Sequence, residues 1–439
     1  MIFSLANKYD VFEKTENNDS TLIHKREAKA KMGDMPKTAD VIIIGGGLMG
    51  CSTAYELAKR NVKNIVVLEK KSIGSGATGQ SSGVLRGHYS YEILTRMAVQ
   101  SLETFKYANE ILGSDVGYQP VGYLFGVDYE NIDTLKKNVE MQRRNGVNTR
   151  MVSKEEVKKE IWPHIDTDQF GAFSYEPEGG YGDPVLTNQA YANAARALGV
   201  TIKQYCGVKQ ILVDKDGSSV IGVETMDNQT IYSPCVIVAA GIGTHLLMKN
   251  IGIDVPIKGQ RAQLVYISPG VPMGIVPSFG DFKHDQYIKP EVSSGHLLLG
   301  NADHSDPQYI EPADYDADNY PKHATEKAIE KAIIKFLSAF PSLDQAKLLT
   351  SYSAAYEMTP DGIPFICPAP IEGIYLCAGF SGHGFKITPV VGKLTADMVL
   401  QGQSQQEGIS LAPFRLTRFE ENDLLKPEHP YSTTVNHHV

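Results

Sequence analysis

Six consecutive residues, Gly45-Gly46-Gly47-Leu48-Met49-Gly50, fit the pattern G-x-G-x-x-G, and Glu69 follows 19 residues after Gly50. In this order these residue types can hold a dinucleotide. Gly45 permits a tight turn, Gly47 lets a pyrophosphate approach the backbone, and Gly50 lets a helix pack closely on a strand. A helix opening at Leu48 and Met49 directs unpaired N–H groups and its positive end at the anion. The Glu69 carboxylate can accept hydrogen bonds from ribose hydroxyls. Two more glycine clusters lie downstream: Gly74-Ser75-Gly76-Ala77-Thr78-Gly79, close behind Glu69, and Gly379-Phe380-Ser381-Gly382-His383-Gly384-Phe385. With the apolar run at 236–241, they favour FAD over a nicotinamide cofactor, because a flavin dinucleotide is long and needs contacts from several chain regions.

The elements that must position these groups surround them. Residues 40–44 form a β-branched run that reads as a buried strand, 49–60 as a helix and 64–69 as a second buried strand, which together make a βαβ unit on a parallel sheet. A helix is expected over 90–112, and strands over 122–127 and 171–177. Asp183-Pro184 reads as an N-cap followed by proline at the first helical position, opening a helix to about Leu198. Apolar runs at 207–213, 219–225 and 230–239, with Asp216-Gly217 between the first two, predict a three-stranded meander leading into the next buried strand. Residues 259–300 are strand-rich, 306–321 read as an exposed acidic loop, 324–340 and 389–400 as helices, and 374–377 as a last buried strand. Polar residues 1–38 are expected to be a flexible leader, and residues from Gln401 a polar tail.

Composition narrows the class. The 439 residues carry a net charge of −9 with no long basic tract, which argues against nucleic-acid binding. No stretch approaches the roughly 20 apolar residues of a membrane-spanning helix. The five cysteines form neither a C-x-x-C pair nor a metal-ligand spacing, so no metal site is expected, and their low density fits a reducing compartment such as the cytoplasm.

From about Ala39 to Arg418 the chain resembles the D-amino-acid oxidase and sarcosine oxidase superfamily of flavoproteins. The carrying motifs are VIIIGGGLMG with Glu69, GSGATGQSSGVLR, the run at 236–241, TPDGIP at 359–364 and GFSGHGFK at 379–386. The resemblance implies an α/β protein in which a glutathione-reductase-like, FAD-binding Rossmann domain (39–88, 185–255, 349–405) is interleaved with an α+β substrate domain (89–184, 256–348) built on a mostly antiparallel sheet, with 406–439 as a C-terminal tail. It places Lys70 and Val208 near the adenosine end of the cofactor, Ala240 and Gly241 near the pyrophosphate, and Ser81, Ser82 and Gly83 near the flavin. Arg86 and Lys386 match the positions that hold a substrate carboxylate in sarcosine-oxidase-like members, Tyr356 matches a substrate-facing tyrosine, and His88, Tyr89 and His383 are candidates for lining the pocket. Lys386 could instead act on the flavin.

The chain departs from that pattern in three places. Ala354 stands where some relatives carry a flavin-linking cysteine, and Gln80-Ser81-Ser82 stands where others carry a flavin-linking histidine, so FAD is expected to be non-covalent. Leu298, in His-Leu-Leu-Leu-Gly, occupies the place of an oxygen-activating lysine, which slightly favours a dehydrogenase over an oxidase. The W-x-G that often precedes TPDG is Ser353-Ala354-Ala355. The expected reaction is oxidation of the C–N bond of a small amino acid or secondary amine, with imine hydrolysis afterwards. Two alternatives stand beside it: a 2-hydroxy acid dehydrogenase with His88 as base, and a flavin-bearing subunit that docks with an electron-accepting partner.

Overall fold

A computed structural model of the chain describes residues 35–303, 305–314 and 319–432. The expected leader therefore falls almost wholly outside the described residues, as do 433–439. Two sheets organise the rest. The first is six-stranded, in the order Phe365–Pro368, Ile374–Ala378, Val236–Val238, Val41–Ile44, Ile65–Leu68, Thr201–Lys203. All neighbours run parallel except the first pair. The Val41–Ile44 and Ile65–Leu68 strands are buried along their whole length, as near-continuous apolar runs in parallel sheets are. Helix Leu48–Lys59 packs between helices Pro184–Ala197 and Thr388–Gln401. The Asp183 side chain accepts hydrogen bonds from Val185 and Leu186 N–H and caps the Pro184–Ala197 helix as expected.

The second sheet has eight strands, in the order Lys347–Met358, Lys258–Ser268, His296–Asn301, Gln286–Glu291, Ser278–Asp281, Tyr123–Val127, Ala172–Glu176, Arg150–Val152. Only Ser278–Asp281 and Tyr123–Val127 pair in parallel. The chain passes between the two sheets several times, giving a mixed α/β fold. One face of the larger sheet is sealed by an aromatic core around Trp162, Phe170, Phe173, Phe279, Phe336 and Phe340, in which Trp162 and Phe340 lie 4.8 Å apart. Among the described residues no helix is long and apolar enough to cross a membrane.

Five local expectations change. The 90–112 helix is two, Glu92–Lys106 and Ala108–Leu112, broken where Tyr107 leaves helical geometry. The 230–239 run divides: Thr230–Tyr232 closes the antiparallel meander, while Val236–Val238 enters the parallel sheet, with Pro234, which has no N–H to donate, between them. Residues 349–358, expected with the FAD-binding domain, form the edge strand of the eight-stranded sheet, because they pair continuously with Lys258–Ser268, while Ala355 and Glu357 also line the groove described below. Within the acidic loop, Ile310 and Tyr320 are buried, since Ile310 N–H donates to Gly259 O and the Tyr320 hydroxyl donates to Gln80 Oε1.

The polar segment after Gln401 is the fifth. It folds back on the body instead of trailing from it. Arg418 is fully buried, forks onto the Asp361 carboxylate at 2.8 and 2.9 Å, donates to Ile363 O and stacks against Phe365 and Phe419. Tyr431 ends beside His88, with its hydroxyl 3.0 Å from His88 Nε2.

Candidate active site

The Val41–Ile44 strand ends at Gly45, whose φ of +111° suits glycine, and an added Cβ would lie 2.2 Å from Ala239 O. A Cβ on Gly50 would lie 2.0 Å from Gly45 O, so the turn and the following helix close directly on each other. Gly47 is the N-cap of helix Leu48–Lys59 and has no side chain to satisfy the first turn. The Leu48 N–H is taken by Thr78 Oγ1 at 3.1 Å. A groove of about 450 Å³ opens in front of this turn. Gly45, Gly47, Leu48 and Met49 line it at one point, Glu69 and Lys70 at another, and Gly76, Ala77, Val208, Ala240 and Gly241 at others. Glu69 Oε2 accepts from Gly46 N–H at 2.7 Å and Oε1 from Lys71 N–H at 2.9 Å, which locks the carboxylate at the strand end with lone pairs to spare.

A helix N-terminus with no side-chain cap, a glycine-built floor and an anchored acid suit a pyrophosphate with a ribose beside it. The groove also shows a polar group not anticipated from the sequence. Glu357 lines it, and its buried Oε2 has no hydrogen-bond partner. Burial pushes this carboxyl up to about 7, against the opposing effect of Gly379 and Phe380 N–H.

A second cavity, of about 140 Å³, lies against the middle strands of the eight-stranded sheet. Arg86, Lys386, Tyr356, Ser82, Gly382 and His383 all line it, although they come from three separated stretches of chain. Arg86 lies 4.5 Å from the centre of the Tyr89 ring, and its Nη1 is buried without a hydrogen-bond partner. Lys386 is 7% exposed, and burial, then the Arg86 charge, hold its ammonium well below the ordinary range. Burial and the neighbouring Tyr287 hold the Tyr356 hydroxyl well above its usual value, so it stays a neutral donor. An arginine with a buried, unpartnered Nη1, beside a lysine whose protonated form a bound carboxylate would favour, suits a carboxylate in a half-dry cavity.

Apart from His383, which lines the second cavity, the remaining candidates sit outside both cavities. Ser81 Oγ accepts from Gly83 N–H within the turn that leads to Arg86, and Gly83 abuts Gly182. Gly379 and Gly384 are tight-packing positions against Thr359 and Phe380, and Phe385 packs on Phe105 at 5.2 Å. His383 turns its Nε2–H onto Gly362 O at 2.8 Å. His88 is not brought into the substrate cavity. It is fully buried, its ring centre 4.0 Å from that of Phe125, with Gln142 and Tyr431 at its two nitrogens. Burial, then the Arg86 charge, hold its imidazole well below its normal pKa. The cavity takes its remaining wall from Tyr123, Phe125, Gln286, Tyr287 and Asn301, which sequence reasoning did not single out; strand alternation opposite Tyr356 is the only signal they carry.

Residues 40–398 match the family model described as DAO, FAD dependent oxidoreductase. The chain belongs to the DAO family of FAD-dependent oxidoreductases. This DAO-family chain is 28% identical over 398 residues to the sarcosine oxidase subunit beta of an Arthrobacter species, covering 89% of this chain and 93% of that one. It is 26% identical to the glycine oxidase of Geobacillus kaustophilus, covering 86% of this chain and 97% of the relative. Among solved structures, L-proline dehydrogenase from P. horikoshii superposes with a TM-score of 0.79 at 29% identity, over 89% of this chain and all of that one. FAD is therefore the cofactor, and the groove's glycine floor at a helix start fits it.

Proposed function

We propose that this protein oxidises the C–N bond of a small amino acid or secondary amine that carries a carboxylate, of the sarcosine, glycine or proline type. The observation that carries this reading is the convergence of Arg86 and Lys386 on one cavity, with Tyr356 in its wall and Glu357, the next residue along the same strand, in the cofactor groove. Successive residues of a strand point to opposite faces, so this strand edge separates the substrate from the dinucleotide. The two cations hold the carboxylate, and a fixed carboxylate fixes the amine carbon, which is an orientation effect. Burial strengthens both contacts by excluding water. Bound FAD supplies the hydride acceptor; the protein supplies binding, orientation and charge. The names of the relatives, which cover sarcosine, glycine and proline, support the substrate class without choosing within it.

Non-covalent FAD and an acceptor other than oxygen complete the reading. Leu298 is fully buried in an apolar cluster with Leu264 and Ala354, so neither the place of the flavin-linking cysteine nor that of the oxygen-activating lysine carries a reactive group. The hydroxy acid alternative loses its base, because His88 faces Phe125 and Tyr431 instead of the cavity. Anaerobic mixing of the FAD-loaded enzyme with sarcosine, glycine, proline and lactate is the test. Flavin bleaching by an amine is the expected result, and bleaching by lactate alone would overturn the reading. Reoxidation in air is expected to be slow in stopped flow, and acid precipitation is expected to release all yellow colour into the supernatant.

A further inference from the structure

Behind the carboxylate clamp lies a third cavity, of about 50 Å³, also lined by Arg86 and Lys386. Its inner wall holds Glu176, the last residue of the Ala172–Glu176 strand, which is 3% exposed. Glu176 Oε2 accepts from Gly87 N–H at 2.7 Å, while Oε1 is buried without a partner. Arg86 Nη1 is buried without a partner as well. One cavity thus contains an unsatisfied acceptor and an unsatisfied donor. A polar cavity of this size has room for a water molecule. Its outer end is marked by Lys106, paired with Glu178 at 2.7 Å and Glu103 at 3.3 Å, where the side chains begin to reach solvent.

The groups facing Glu176 are therefore Arg86 and Lys386 on the substrate side, Glu103, Lys106 and Glu178 at the mouth, and the neutral Tyr89 and Tyr123. Burial holds the Glu176 carboxyl up to about 7, and Gly87 N–H, Arg86 and His88 N–H pull in the opposite direction. In the free enzyme, Arg86 is the charge that favours the Glu176 carboxylate. A substrate carboxylate arriving at Arg86 takes over that charge and adds a negative one nearby, and both effects raise the proton affinity of Glu176.

We propose that Glu176 is a proton acceptor coupled to the clamp: as the substrate carboxylate engages Arg86, the Glu176 carboxylate takes up a proton, which balances the one that the substrate ammonium releases to water. This rests on the carboxylate-bearing amine reading above. The step balances as R₂NH₂⁺ plus a carboxylate giving R₂NH plus a carboxylic acid. No electrons move, and the substrate is left as the neutral amine, whose lone pair can assist loss of a hydride.

Methoxyacetate, which has a carboxylate and an ether oxygen in place of the amine, isolates the coupling. Its binding to the FAD-loaded enzyme is to be measured by calorimetry at pH 7.5 in two buffers of different ionisation enthalpy. The wild type is expected to take up about half to one proton per ligand bound. Glu176→Gln, which can still accept from Gly87 N–H, is expected to bind methoxyacetate with no proton uptake, and Glu176→Asp to restore it. Undiminished uptake in Glu176→Gln would assign the proton to another group, such as Lys386, and overturn the proposal, as would absence of uptake in the wild type. If methoxyacetate does not bind, the clamp itself fails and the proposal falls with it. If it binds with uptake but no amine bleaches the flavin, only the substrate reading falls.

Discussion

The dinucleotide groove and the substrate cavity are built by opposite means. The groove is made of backbone: Gly45, Gly47 and Gly50 clear space, a helix end offers N–H groups, and Glu69 is pinned by two main-chain donors. The cavity is made of side chains: Arg86, Tyr356 and Lys386 arrive from three distant stretches, and Arg86 Nη1 is buried without a partner. A cofactor common to a family can be held by local backbone geometry that tolerates little change. A substrate that varies between relatives is held by groups that can be exchanged one at a time without disturbing the sheet beneath.

Substitutions should separate the two regions, and the largest effect belongs to the groove. Gly45→Ala sets a Cβ against the Ala239 carbonyl at a positive φ. The protein is expected to retain no FAD through gel filtration, with near-complete loss of activity; normal flavin absorbance would break the backbone account. Arg86→Ala should do the reverse, keeping the full flavin spectrum while kcat/KM falls by about 10²–10³-fold, the range for truncating one partner of a buried charged pair. A loss of FAD in that variant would mean the two regions are not separable.

Outside both regions, Arg418→Met leaves Asp361 buried and unpaired. Such a change costs about 3–5 kcal/mol, and should lower Tm by several degrees while leaving ligand affinities within about twofold. The smallest effect concerns pH. Glu357 has a folded pKa raised to about 7 from an ordinary 4.5. Its folded state therefore holds the proton more tightly, so FAD-free stability should fall as pH rises from about 5 to 7 and level off above. Glu357→Gln should raise Tm by a few degrees at pH 8 and leave it unchanged at pH 5; an equal change at both would remove ionisation as the cause.

Legibility in the sequence follows the same division. The βαβ unit and the Asp183-Pro184 helix start were readable because turn glycines, caps and β-branched runs act within a few residues. Arg86 and Lys386 were reached through motif resemblance, not through spacing, since 300 residues separate them. Glu176 and Glu357 gave no signal, being ordinary acids at strand ends whose burial depends on what packs over them. His88 looked like a pocket residue because it lies two positions from Arg86, yet the neighbouring residues diverge, and Phe125 and Tyr431 enclose its ring.

The amino-acid sequence alone pointed to where a dinucleotide would lie, because close approach of backbone to a pyrophosphate requires glycine at set positions near a helix start. Tertiary structure decided which side chains share the substrate cavity, which acids lose water, and that the polar segment around Arg418 and Tyr431 belongs to the fold. Those outcomes depend on contacts between residues far apart in the chain, and a pKa or an unpaired hydrogen bond exists only once such contacts have excluded solvent.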